Sequence, residues 1–196
     1  MNLNSKKLIL ASASPRRAEL LRLIGLNFKV IPSSIQEDGI NEQDPVSYVL
    51  QLSLAKAKDV ASKIADGLII GADTIVVLDG KILGKPKDEN EAKEMLKRLS
   101  GRTHEVFTGF AVVDKPGGRT TSDYESTKVH FRELRDWEIE SYVKTQNPMD
   151  KAGAYGIQDQ SAVFADRIEG CFYNVVGFPL TKFYTTFLQI IGDKRE

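Results

Sequence analysis

Two apolar patterns recur along the chain: short unbroken runs, and longer stretches with apolar positions three or four apart. The first is the mark of a buried strand and the second of an amphipathic helix. Leu8-Ile9-Leu10-Ala11 is the first run, and Leu20, Leu21, Leu23 and Ile24 predict the apolar side of a helix behind it. Ser14 is placed to accept free backbone N–H groups and Pro15 suits a first helical position, so the helix starts there. Gly25 stops it, and Phe28-Lys29-Val30-Ile31 reads as a second strand ended by Pro32. Ser33 to Asn41 is a polar loop. Asp44 as cap and Pro45 then open a long helix, with Val46, Val49, Leu50, Leu54, Ala57, Val60, Ala61 and Ile64 in helical spacing to about Asp66-Gly67.

Leu68-Ile69-Ile70-Gly71-Ala72 predicts a buried strand that delivers Asp73-Thr74 at its end or within an extended edge, just before Ile75-Val76-Val77-Leu78. Asp79-Gly80 marks a hairpin turn into Lys81-Ile82-Leu83. Asp88 with Glu91 predicts a capped helix through Ala92, Met95, Leu96 and Leu99, ending at Ser100-Gly101. Arg102 to Val113 alternates as a strand, with His104 near its start, and Tyr124 to Phe131 returns from the turn at Asp114 to Gly118. Asp136 is expected to cap a short helix that ends before Asn147-Pro148. Ala162-Val163-Phe164-Ala165 reads as another strand, and Phe178-Pro179-Leu180 leads into a last helix through Phe183, Phe187, Ile190 and Ile191. Helices and hairpins alternate irregularly, which predicts an α/β protein with a mixed sheet.

Composition narrows the chemistry. The chain has 196 residues, enough for one core or two closely packed lobes. Lys+Arg and Asp+Glu are 27 each, so no overall field recruits nucleic acid, while a local positive pocket remains open. Cys171 is the single cysteine and His104 and His130 the only histidines, which argues against a disulfide, a thiolate metal site or a histidine zinc cluster. The first apolar run is too short for a signal segment, and a membrane span of about 18 apolar residues is missing. A soluble, cytoplasmic protein is expected, with no membrane partner.

Several positions sit badly with simple packing. Arg16 and Arg17 put paired cations in a first helical turn, where the dipole favours negative charge. Arg17 also lies three, four and seven residues before Leu20, Leu21 and Ile24, on the face that should pack. Cations, serines and free N–H groups suit a phosphate, and a solvated helix start fits the same letters. Asp73 is an acid in otherwise apolar sequence, expensive to bury without a cation, metal or hydrogen bonds. Lys56 borders the apolar stripe of the long helix, either reaching into a cleft or snorkelling along the surface. Glu37 lies in a loop able to present it to a ligand, though plain surface polarity explains that loop better. Lys85 stands in the turn Gly84-Lys85-Pro86. Gln158 ends the glycine-interrupted stretch Asp150 to Gln158 and offers both a donor and an acceptor, as a base edge requires. Cations and acids without a histidine or cysteine nucleophile suit a polyphosphate carrying Mg²⁺.

Ala11-Ser12-Ala13-Ser14-Pro15-Arg16-Arg17, Gly71-Ala72-Asp73-Thr74, Gly84-Lys85-Pro86, Leu99-Ser100-Gly101-Arg102-Thr103-His104 and Asp150 to Gln158 closely resemble the Maf family of nucleoside triphosphate pyrophosphatases. The likeness runs through nearly the whole chain in consistent order. It implies a fold similar to inosine triphosphate pyrophosphatases: one domain over 1–196, an elongated mixed sheet, and two lobes flanking a cleft. It also implies hydrolysis of a nucleoside triphosphate to the monophosphate and pyrophosphate with a divalent cation, Mg²⁺ or Mn²⁺, and a homodimer.

By this resemblance Asp73 matches the catalytic proton acceptor and Glu37 a partner carboxylate, both near the metal. Ser14, Arg16, Arg17, Lys56 and Lys85 match the residues that hold the polyphosphate. Arg16, Thr74 and Gln158 match positions tied to substrate choice, and the Thr74–Gln158 combination resembles the branch acting on dTTP and UTP. The branch acting on methylated purine triphosphates is the alternative, as is a nucleotide-binding regulator of cell division. The chain departs from the family pattern at Ala13, at Gln36 in place of an acid, and at Asp159 in place of glycine. Gln36 is expected to weaken metal binding if that neighbour supports the ion, though Glu37 itself is present. Asp159 is expected to reshape the loop holding Gln158 and to blur base selectivity. Phe172, Tyr173, Phe183, Tyr184 and Phe187 fit a dimer face and an ordinary core equally well.

Overall fold

The computed structural model describes residues 6–35 and 44–192, so Gln36 and Glu37 lie outside the described residues. In chain order the elements are β1 (Leu8–Leu10), α1 (Pro15–Leu23), β2 (Lys29–Val30), α2 (Pro45–Ala61), β3 (Gly67–Leu78), β4 (Lys81–Leu83) and α3 (Glu89–Leu99). Then come β5 (Thr103–Lys115), β6 (Thr120–Phe131), α4 (Asp136–Lys144), β7 (Ala165–Glu169), α5 (Phe172–Val176) and α6 (Leu180–Ile191), with 3-10 turns between α4 and β7. The strands form a seven-stranded sheet in the order β2-β1-β3-β5-β6-β7, with β4 beside β3. β1 runs parallel to β2 and β3, whereas β3 with β4 and β6 with β7 are antiparallel. The sheet is mixed and carries helices, as the alternation of elements predicts. Among the described residues no helix is long and apolar enough to cross a membrane.

The chain divides into two compact units. The first comprises Met1–Asp73, Thr108–Glu125 and Gly177–Glu196. Its core gathers Ile9, Ala57, Val60, Ile69, Ala111 and Val113 from β1, α2, β3 and β5. Phe183 and Phe187 of α6 are fully buried, and Phe183 meets Phe110 edge-on with ring centres 5.5 Å apart. The second unit comprises Thr74–Phe107 and Ser126–Val176. Its core joins Leu96 and Leu99 of α3, Val129 and Phe131 of β6, Val143 of α4, and Tyr155 and Phe164. Phe172 and Tyr173 remain exposed, so the aromatics read as either dimer face or core divide between the two environments.

Several local expectations shift. Of the two placements expected for Asp73-Thr74, the one within a continuing extended stretch holds, because β3 runs without a break from Gly67 to Leu78. The stretch 160–164 forms a 3-10 turn, and the strand begins only at Ala165. Asp159 accepts from the Ser161 backbone N–H there, a local side-chain bond that competes with extended pairing. α2 stops at Ala61, where the Ser62 hydroxyl bonds the Asp59 carbonyl, rather than near Asp66. α4 is capped at Arg135, whose N–H donates to Glu138 Oε2 at 2.9 Å, while Asp136 lies inside the first turn. Leu23, placed on the packing side of α1, is 66% exposed. β6 begins at Thr120 rather than Tyr124, and α5 has no counterpart in the apolar pattern.

Candidate functional site

β1 turns into α1 through Ser12, Ala13 and Ser14, and the serines bond the turn internally. Ser12 Oγ accepts from Ser14 N at 3.2 Å, and Ser14 Oγ accepts from Arg17 N at 3.5 Å as the helix cap. Arg17 then reaches inward from the first turn. Its Nη1 donates to Ser12 Oγ at 3.2 Å and to the Ala72 carbonyl at 2.9 Å, while Nε donates to the Gly177 carbonyl at 3.0 Å. The planar fork of guanidinium donors lets a cation occupy a packing face, because interior acceptors satisfy it. Ala72 immediately precedes Asp73, so one side chain ties the serine turn to the strand that carries the acid. Arg16, half-buried beside Ser14, adds a cation at a helix start whose N–H groups favour an anion.

Lys56 and Asp73 meet directly. Lys56 Nζ donates to Asp73 Oδ1 at 2.6 Å, and the two side chains are only 10% and 6% exposed. The contact follows from glycine. A Cβ at Gly71 would lie 2.2 Å from the Ser53 carbonyl oxygen and 2.7 Å from Ala57 N, and one at Gly109 would lie 2.5 Å from the Val49 carbonyl oxygen. With those side chains absent, α2 presses its backbone onto β3 and β5 within the first unit. Lys56 stands between Ser53 and Ala57 on that helix, and Asp73 two residues beyond Gly71 on the strand. Of the sequence alternatives for Lys56, snorkelling at the surface is therefore not the outcome.

One turn further along α2, Asp59 holds the chain leaving β2. Its Oδ2 accepts from Ser33 Oγ at 2.9 Å and from Ser34 N at 2.8 Å, and its Oδ1 faces Lys63 Nζ at 2.8 Å. The Lys63 ammonium, then the Ser34 N–H, hold this carboxyl well below the usual range. Sequence reasoning passed over Asp59; its only signal is Lys63 four residues on, an ordinary helix pair.

The second unit carries Thr74, Lys85 and Gln158. Thr74 follows Asp73 on β3, is half-buried, and points to the opposite face of the strand. Lys85 is exposed in its turn, and the neighbouring Gly84 carbonyl accepts from Gly153 N at 3.0 Å. Gly153 has φ 68°, and a Cβ there would lie 2.9 Å from Val76 Cγ2, so only glycine fits. That bond ties the Lys85 turn to the stretch leading to Gln158, which is exposed. His104, by contrast, is interior: Nε2 lies 2.8 Å from Tyr155 Oη and the ring meets Phe131 edge-on. Burial, with a smaller effect from His130, lowers its pKa to about 4.

The structure thus joins Ser14, Arg17, Lys56 and Asp73 in one chain of contacts within the first unit, with Arg16 beside Ser14. In the second unit it links the Lys85 turn to the Gln158 stretch. Ser12, to which the sequence alone assigns no role, belongs with Arg17. Among the described residues no cluster of three or more His, Cys, Asp or Glu side chains forms a metal cage.

This chain is similar along nearly its whole length to proteins called dTTP/UTP pyrophosphatase. One from Carboxydothermus hydrogenoformans is 51% identical over 91% of this chain and 95% of its own. Another, from Clostridium botulinum, is 48% identical over 94% and 97%, and one from Syntrophus aciditrophicus is 47% identical over 98% and 96%. The profile of the Maf-like protein family matches residues 7–190, and the chain belongs to that family.

Proposed function

We propose that this chain is a nucleoside triphosphate pyrophosphatase that hydrolyses dTTP and UTP, modified pyrimidine triphosphates included, to the monophosphate and pyrophosphate. The observation that carries this reading is the buried Lys56–Asp73 pair, tied through Arg17 to the serine turn at the start of α1. The relatives near half identity that bear that name support it.

In this reading Ser14, Arg16, Lys56 and Lys85 hold the polyphosphate, and Arg17 contributes by keeping that seat in shape. Water attacks the α-phosphorus, and Asp73 takes its proton as the bond to the bridging oxygen breaks and pyrophosphate leaves. Lys56 orients the carboxylate through Oδ1, leaving the second oxygen for the reaction. Thr74 and Gln158, with Arg16, choose the substrate. The Gln158 amide has the donor and acceptor that the O4/N3–H edge of uracil or thymine needs.

A divalent cation, Mg²⁺ or Mn²⁺, would be held by the carboxylate oxygens of Asp73 and Glu37, donors of the kind such a hard ion takes. When bound it neutralises phosphate charge and polarises water. The same reading includes one domain of the inosine triphosphate pyrophosphatase kind, a homodimer, and action in the cytoplasm, where nucleoside triphosphates are made and used.

The test is pyrophosphate release from a panel of canonical and modified nucleoside triphosphates with Mg²⁺ or Mn²⁺, run beside Asp73→Asn. Turnover centred on dTTP and UTP is expected, reduced about a hundredfold or more by the substitution. The variant should still be stabilised by nucleotide. Turnover centred on a methylated purine overturns the base assignment. No turnover of any nucleotide by folded protein overturns the enzyme.

A further inference from the structure

Gln158 sits at the tip of a tight turn whose last residue is Asp159. Asp159 N donates to the Gly156 carbonyl at 3.0 Å, which leaves Ile157 and Gln158 as the two central residues. Ile157 is buried and Gln158 exposed, so the turn is anchored on one side and presents the amide on the other.

The carboxylate of Asp159 binds that turn to everything around it. Oδ1 accepts from Ser161 N at 2.9 Å, and Oδ2 accepts from Tyr142 Oη of α4 at 3.2 Å and lies 3.5 Å from Lys151 Nζ. The Ser161 hydroxyl accepts from Gly156 N at 3.0 Å and turns its one proton toward both Gly156 O and Asp159 Oδ1, each 2.8 Å away. Gly156 makes room for the ion pair. A Cβ there would lie 2.5 Å from Lys151 Cε and 2.7 Å from Asp159 Oδ2.

Tyr142 is 3% exposed and Lys151 is bonded to the Asn147 carbonyl and to Asp150, so the partners of Asp159 are themselves held. A glycine at 159 would remove the carboxylate's contacts with Ser161, Tyr142 and Lys151, leave Ser161 bonded to Gly156, and add backbone freedom beside Gln158.

We propose that Asp159 is a positioning residue that fixes the Gln158 turn and thereby sets discrimination between pyrimidine bases and other nucleotides. The proposal rests on Gln158 reading the base. A turn held by Ser161, Tyr142 and Lys151 offers the amide at one distance and in one plane. A loose turn adapts to larger or differently edged bases and gives up selectivity. Asp159 does not touch the reacting phosphate in this scheme. Its removal acts on the KM of dTTP and UTP and on their advantage over CTP and GTP, more than on kcat.

The experiment measures kcat and KM for dTTP, UTP, CTP and GTP in the full-length protein and in Asp159→Gly, Asp159→Asn, Tyr142→Phe and Gln158→Ala, with amide hydrogen exchange over residues 156–161. Asp159→Gly should lower discrimination by about fivefold, the scale of one net hydrogen bond, chiefly through KM, and speed exchange at the turn. Asp159→Asn, which can still bond Ser161 and Tyr142, should restore most of it, and Tyr142→Phe should fall between. If Gln158→Ala leaves discrimination intact, the base reader has been misassigned. If Gln158→Ala abolishes discrimination while folded Asp159→Gly and Tyr142→Phe retain it, Asp159 does not position the turn. Should Asp159→Gly fail to fold, Tyr142→Phe decides by the same measure.

Discussion

The ammonium of Lys56 lies 2.6 Å from Asp73 Oδ1, and both side chains are nearly shut off from water. A pair of this kind is costly to break from one side, because the remaining charge stays buried without its counterpart. Lys56→Met is therefore expected to destabilise the fold by about 3–5 kcal/mol. Lys56→Met with Asp73→Asn should recover a large part of that loss, since the orphaned charge is gone. Denaturant unfolding of the wild type, both single variants and the double variant measures the coupling. Additive effects of the two substitutions would show that the pair contributes nothing as a pair.

Gly71→Ala should disturb the same pair without touching either partner. Its Cβ would lie 2.2 Å from a helix carbonyl, and backbone cannot rotate away as a side-chain tip can. The expected loss is about 1–3 kcal/mol in stability, as for overpacked cores generally. Pyrophosphatase activity should fall further than in a stability-matched core variant, because separating α2 from β3 withdraws Lys56 from Asp73. Equal activity in the two variants at a temperature where both are folded would argue that the pair tolerates the separation.

Arg17 tests whether the serine turn needs its tether. Arg17→Ala removes the donors to Ser12, Ala72 and Gly177, and Arg17→Lys supplies a charge without the fork that reaches separated acceptors. Both variants should lose about 1–3 kcal/mol of stability, the range for leaving interior acceptors unmade. Retained stability in Arg17→Lys with lost turnover would instead mark direct use of the guanidinium by substrate. Thermal melts with and without dTTP, set beside kcat and KM, separate the two.

How much of this was readable in the sequence depended on the range of the interaction. Ser14-Pro15, Asp88 with Glu91, and Asp79-Gly80 are local codes, and each produced the expected helix start or turn; Asp79 and Gly80 adopt φ 51° and 72°. Helix spacing puts Arg17 on the packing face, yet its acceptors Ala72 and Gly177 lie 55 and 160 residues away. Asp73 stood out as an acid among apolar neighbours. Its pairing with Lys56 depends on Gly71 and Gly109 letting α2 close on the sheet, a tertiary contact with no local signature. Asp159 was visible as a departure from a pattern, but its bonds to Tyr142 and Lys151 were not. The strand expected over 162–165 begins only at Ala165, because the Asp159 side chain accepts from Ser161 N and 160–164 takes a 3-10 turn.

His104 sets a pH dependence of stability whose sign follows from burial. Its folded pKa is about 4, against an ordinary value of 6.5, because the interior disfavours the imidazolium. Above pH 6.5 neither state holds the proton and the histidine adds no pH dependence. Between 6.5 and 4 the unfolded chain binds a proton that the folded chain refuses, so stability falls as pH falls. Below 4 both states are protonated and the loss levels off at about 3 kcal/mol for this group. His104→Gln keeps a hydrogen-bonding side chain beside Tyr155 but cannot titrate. Urea unfolding at half-unit pH steps should show wild-type stability dropping relative to the variant across that window and running parallel to it above pH 7. A wild-type curve that stays parallel down to pH 4 would mean that the imidazole is as easily protonated inside the fold as in water, and that its contact with Tyr155 opens at no measurable cost.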